Sequence, residues 1–80
     1  MIPIENTFEV DTHPGVTIVN PEIEIVQTID KAQDKVFIPC VIIHAPNINI
    51  YHILPPQPYV NGTWEDENVI TAVTIYFTNL

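Results

Sequence analysis

Cys40 is the only thiol in this 80-residue chain, and His13, His44 and His52 are its only imidazoles. A thiol held against an imidazole can act as a nucleophile. Cys40, however, lies within the apolar run Val36-Phe37-Ile38-Pro39-Cys40-Val41-Ile42-Ile43. Hydrocarbon surroundings disfavour the thiolate and leave such a thiol inert. If Pro46-Asn47 closes a two-residue hairpin, Val41 pairs with His52 and Cys40 with Ile53. Cys40 and His52 then point to opposite faces. A slip of one residue would restore a Cys–His pair, but still without a third, orienting group. A buried structural cysteine is the expectation.

The histidines are equally poor metal ligands. A zinc site needs three or four converging nitrogen, sulfur or oxygen donors. His44 and His52 fall on adjacent predicted strands, yet no familiar ligand spacing is present, and Asp11 with His13 is only a loop pair. No metal and no cofactor are expected, although a symmetric oligomer could gather one histidine per subunit on an axis. Glu65-Asp66-Glu67 resembles an acid cluster, but consecutive side chains diverge, so a solvated rim is the simpler reading. Asn61-Gly62-Thr63 matches a glycosylation pattern and, more simply, a turn. The chain has no serine and only Gly15 and Gly62, which removes serine chemistry and a glycine-rich phosphate loop. No catalytic residue is assigned, and an enzyme is not expected.

Charge narrows the partners. The net charge is −8, with two lysines and no arginine. Nucleic-acid affinity comes from neutralising phosphates, so direct nucleic-acid binding is not expected. The long uncharged stretch is broken by Pro39, Pro46, Asn47, Asn49, Pro55 and Pro56, so no membrane span is expected. The N-terminus lacks a basic and then apolar leader pattern, so no secretory signal is expected.

The elements that must position these residues follow a period of two. Ile23, Ile25 and Ile29 alternate with Glu22, Glu24 and Thr28. Ile48, Ile50, His52 and Leu54 alternate with Asn49 and Tyr51. Val69 to Thr78, rich in Val, Ile, Thr, Tyr and Phe, is predicted as a long C-terminal strand apolar on both faces. Pro39, inside a strong strand, predicts an edge or a bulge. Asn61-Gly62 predicts a tight hairpin. Pro55, Pro56 and Pro58 predict an extended connection. Asp30 to Lys35 is too short for a stable helix. These features predict an all-β fold: a small β-sandwich or partly open barrel of about five to seven strands. Residues 1–12 are expected to form an extended N-terminal arm, and residues 13–80 a single β domain.

Apolar residues make up 46% of the chain and charged residues only 15%, against about 25% charged in ordinary domains. The stretch from Val36 to Thr63 carries no charge apart from histidine, yet it contains Ile42, Ile43, Ile48, Ile50, Tyr51, Ile53, Leu54 and Tyr59. One small core cannot easily bury all of these and a two-faced C-terminal strand. The expected partner is therefore protein: a homo-oligomer, or a place in a large assembly. Interface residues are expected at Ile2, Ile4 and Phe8 on the arm, and at Tyr51, Tyr59 and Trp64. The functional expectation is a structural protein of a larger assembly, with a bacteriophage virion component (head-decoration, capsid-stabilising or tail protein) as its concrete form, assembled in the host cytoplasm. The alternative is a small acidic inhibitor that occupies a partner's binding groove, drawing on carboxylates such as Glu22 and Glu24.

Overall fold

The longest period-two runs form the longest strands. In the computed structural model, which describes residues 1–80, the elements in chain order are β1 (Ile2–Pro3), β2 (Thr7–Phe8), β3 (Ile18–Val19), β4 (Glu22–Lys31), β5 (Val36–Ala45), β6 (Ile48–Ile53), β7 (Gln57–Pro58) and one helix, α1 (Asp66–Thr78). The principal antiparallel sheet runs β1-β4-β5-β6, with β7 also paired to β5, and β2 and β3 form a second, two-stranded sheet. Strands account for 45% of the residues and no barrel closes. The fold is a small all-β fold of seven strands with a single helix.

Turn chemistry sets the register. Pro46-Asn47 closes a two-residue hairpin, so Ala45 faces Ile48, Val41 faces His52 and Cys40 faces Ile53, as the spacing predicts. Asn61 and Gly62 take the left-handed region, with φ 53° and 82°. That conformation closes a two-residue turn, held by Val60 N–H to Thr63 O at 2.7 Å.

Pro39 does not mark an edge, because β5 lies at the centre of the sheet. Its carbonyl accepts from Leu54 N–H at 3.0 Å, just where β6 has ended and before β7 begins. The missing N–H therefore falls where β5 changes neighbour, and costs little of the ladder. The bulge lies on the facing strand instead, between Ile25 and Gln27 of β4.

That bulge redistributes side chains. Ile23 faces Ile43, and Ile25 faces Val41. Beyond the extra residue Val26 the parity flips, so Ile29 faces Ile38 and shares the side of Glu22, Glu24 and Cys40. Strict alternation would have kept Ile29 beside Ile23 and Ile25.

The C-terminal segment corrects the sequence reading: residues 69–78 are helical, not a strand. Val69, Val73 and Phe77 recur every fourth residue and are buried, which is a helical stripe. A capping box starts the helix: Glu65 N–H donates to the Asn68 side chain at 2.8 Å, and the Glu65 side chain accepts from the Asn68 backbone. Asp66 and Glu67 sit in the first turn, where the helix dipole favours negative charge. The Glu65-Asp66-Glu67 cluster is thus a helix start rather than a rim. The β-branched residues cost only a few tenths of a kcal/mol each in a helix, less than burying Val73 and Phe77 returns.

The core lies on one side of the principal sheet. Ile23, Phe37, Val41, Ile43, Ile50 and Leu54 meet Val69, Val73 and Phe77 of the helix, together with Ile4, Phe8, Val10 and Ile18. Residues 1–12 lie on this same core. Ile4 N–H donates to Pro21 O at 3.0 Å, and the Asn6 side chain donates to the carbonyls of Phe77 at 2.9 Å and Leu80 at 3.2 Å. The bond to Phe77 satisfies a carbonyl that the helix C-terminus leaves unpaired.

Candidate protein-binding face

Each face of the principal sheet has a different fate. Every buried residue that the strands give to the core cluster projects toward the helix. By register, the opposite face carries Ile29, Ile38, Ile42, Tyr51 and Ile53 around Cys40, with Glu22, Glu24, His44 and Asn49 at one end and Lys31 at the other. None of its apolar side chains packs against the core. Tyr51 and Ile53 are 52% and 54% exposed, while Ile29, Ile38 and Ile42 are half-buried among their neighbours. No element covers this face. The exposed bulge residue Val26 adjoins it.

Cys40 is fully buried but lies outside the core cluster. Its own row of strand neighbours covers it, Tyr51 included. The sulfur donates weakly to the Ile38 carbonyl at 3.9 Å. The hydrogen bond with Cys40, then burial, holds the Tyr51 phenol above its usual range. Cys40 and His52 occupy opposite faces, as the hairpin register predicts.

At the polar end His44 joins two groups: Nε2 meets Glu24 Oε1 at 2.8 Å, and Nδ1 meets Asn49 Oδ1 at 3.0 Å. This cluster contains one imidazole and one carboxylate beside it. Nowhere do three His, Cys, Asp or Glu side chains converge as a metal site would require.

His52, on the covered face, sits at 3.2 Å from the Tyr76 hydroxyl and packs against Tyr76 and Phe77. Burial lowers its pKa, with Asp11 opposing the shift. Burial, then Asp11, raises that of Tyr76. The His13 ring makes its one side-chain hydrogen bond with the Thr12 hydroxyl, at 2.9 Å.

The six expected interface residues divide. Tyr51 lies exposed on the bare face. Ile4 and Phe8 are buried in the chain's own core, where Phe8 meets Phe77 at 5.7 Å between ring centroids. Ile2 is half-buried against that core. Trp64 stacks at a tilt on Phe37, 5.8 Å between centroids. Tyr59 also packs on the core, and its hydroxyl donates to Asp30. These five are engaged internally because the arm and the proline segment supply the cover that a 13-residue helix cannot. The C-terminal segment, expected at the interface as a strand, spends its buried stripe on the core. Of the uncharged stretch, Ile43, Ile50 and Leu54 are buried, whereas Ile42, Tyr51 and Ile53 reach the bare face. Sequence reasoning missed Ile29 and Ile38. Ile38 was legible in the unbroken apolar run of β5, which needs cover on both faces. Ile29 was not, because only the bulge moves it across.

A second apolar surface is a groove of about 660 Å³ between α1 and β7, lined by Phe37, Pro58, Ala72, Ile75, Tyr76 and Leu80 among others. Its lining includes no Asp, Glu, Lys or Arg.

Comparison with known protein families, with curated proteins and with solved structures finds no match for this chain.

Proposed function

We propose that this chain is a non-enzymatic structural protein that docks into a larger protein assembly through the uncovered face of β4, β5 and β6. The observation that carries the reading is the apolar patch of Ile29, Ile38, Ile42, Tyr51 and Ile53, beside Gln27, on a sheet whose other face carries the core. Exposed apolar surface of this extent marks an interaction site. A bacteriophage virion component, whether head-decoration, capsid-stabilising or tail protein, is the concrete form we favour. The small size, strand-rich fold and low charge density support it.

The test is recruitment. The full chain is expected to co-sediment with its particle, and Tyr51→Glu or Ile53→Glu to abolish this while the isolated variants keep the wild-type circular dichroism spectrum. Undiminished co-sedimentation of both variants would overturn the reading. The acidic-inhibitor reading draws on Glu22 and Glu24 at one end of the same face. It predicts instead tight, salt-sensitive binding to a basic partner, lost in Glu22→Gln/Glu24→Gln and indifferent to Ile53.

A further inference from the structure

We infer that the occupant of the bare sheet face is a second copy of this chain, stacked face to face with its strands running the opposite way. The inference rests on the docking reading above and names the partner.

The charge pattern on the face complements itself. The chain has only two lysines. Lys31 ends β4, and its register opposite Val36 places it on the bare face. Glu22 and Glu24 lie on that face at the other end of the same strand. A two-fold axis between the sheets, perpendicular to the strands and passing near Gln27 and Cys40, reverses each strand over its own copy. Lys31 of each copy then meets Glu22 and Glu24 of the other. Such an isologous contact occurs twice by symmetry. The same axis stacks Ile38 of one copy over Ile42 of the other, and Ile53 over Ile53. With the axis parallel to the strands along β5, β4 of each copy would lie over β6 of the other, Glu22 and Glu24 would meet Asn49 and Tyr51, and Lys31 would meet no carboxylate. The charges therefore select the antiparallel arrangement.

The area fits a weak, reversible dimer. β4 and β5 run ten residues and β6 six; at about 3.4 Å per residue and about 4.8 Å between strands they present a face of about 420 Å². Two such faces bury about 850 Å², the size of weak, transient contacts. Sheets stacked in this way lie about 10 Å apart, as in a β-sandwich completed between two chains.

Sedimentation equilibrium on the purified full chain tests this. The wild type is expected to be a dimer at about 100 μM and a 9.1 kDa monomer on dilution. Ile53→Glu, which places two carboxylates on the axis, is expected to weaken dimerisation by a hundred-fold or more. Lys31→Glu alone and Glu22→Lys alone are each expected to weaken it by roughly tenfold, and the double variant to recover most of the loss. A wild type that stays monomeric at 100 μM would overturn the inference, as would a dimer indifferent to Ile53→Glu. Failure of the charge swap to recover would overturn the antiparallel arrangement. If the chain is monomeric and yet joins its particle only when Ile53 is intact, the self-pairing falls and the docking reading stands.

Discussion

Strand β5 presents two apolar faces of nearly equal character, and the molecule treats them differently. Phe37, Val41 and Ile43 on one face lie under the helix and the N-terminal segment. Ile38 and Ile42 on the other lie beside solvent. Residue type does not separate the faces. What separates them is supply: a chain of 80 residues has one amphipathic helix and one short arm to lay over a sheet, enough for a single layer. The other face stays without cover.

The largest expected effect compares the two faces directly. Phe77→Ala, which empties the centre of the covered side, is expected to cost about 3–5 kcal/mol of stability. Ile53→Ala on the bare side is expected to stay within about 0.5 kcal/mol in the isolated monomer. Chemical denaturation measures both. Equal losses would mean that the bare face is not bare in solution.

A smaller effect tests whether the cover itself is set locally. Asn68 closes the capping box by accepting from Glu65 N–H at 2.8 Å. Asn68→Ala is expected to cost about 1 kcal/mol. The loss should appear as a lower denaturation midpoint at unchanged slope. No loss would mean that packing alone holds the helix start.

The smallest effect is one of pH and touches only the covered face. Burial lowers the pKa of His52 in the fold, so the unfolded chain takes up the proton first as pH falls. The stability associated with neutral His52 is fully present above the ordinary histidine pKa of about 6.5. It is lost progressively as pH falls through the lower folded value. His52→Phe should flatten that slope, measured as the denaturation midpoint between about pH 7 and pH 5.

Much of the architecture was legible in the residues. Ala45-Pro46-Asn47-Ile48 specified the hairpin and, through it, the opposed faces of Cys40 and His52. Asn61-Gly62 specified its turn, since both residues must take positive φ. The alternation of Ile and Glu marked β4. The C-terminal helix was misread because Val, Ile and Thr favour strands locally. The fourfold spacing of Val69, Val73 and Phe77, with Glu65 and Asn68 ahead of it, was the better guide. Tyr51, expected at an interface, lies exposed on the bare face, whereas Ile4 and Phe8 belong to the core and Tyr59 and Trp64 pack against it.

The sequence by itself determined that this chain builds antiparallel strands with more apolar surface than one small core can hide, since period, turn residues and charge count are local quantities. Only the tertiary structure decided which apolar residues go uncovered. That choice depends on the helix settling on one side of β5 and on one extra residue, Val26, carrying Ile29 across the sheet. Both are consequences of packing between segments far apart in the chain, and no local pattern encodes them.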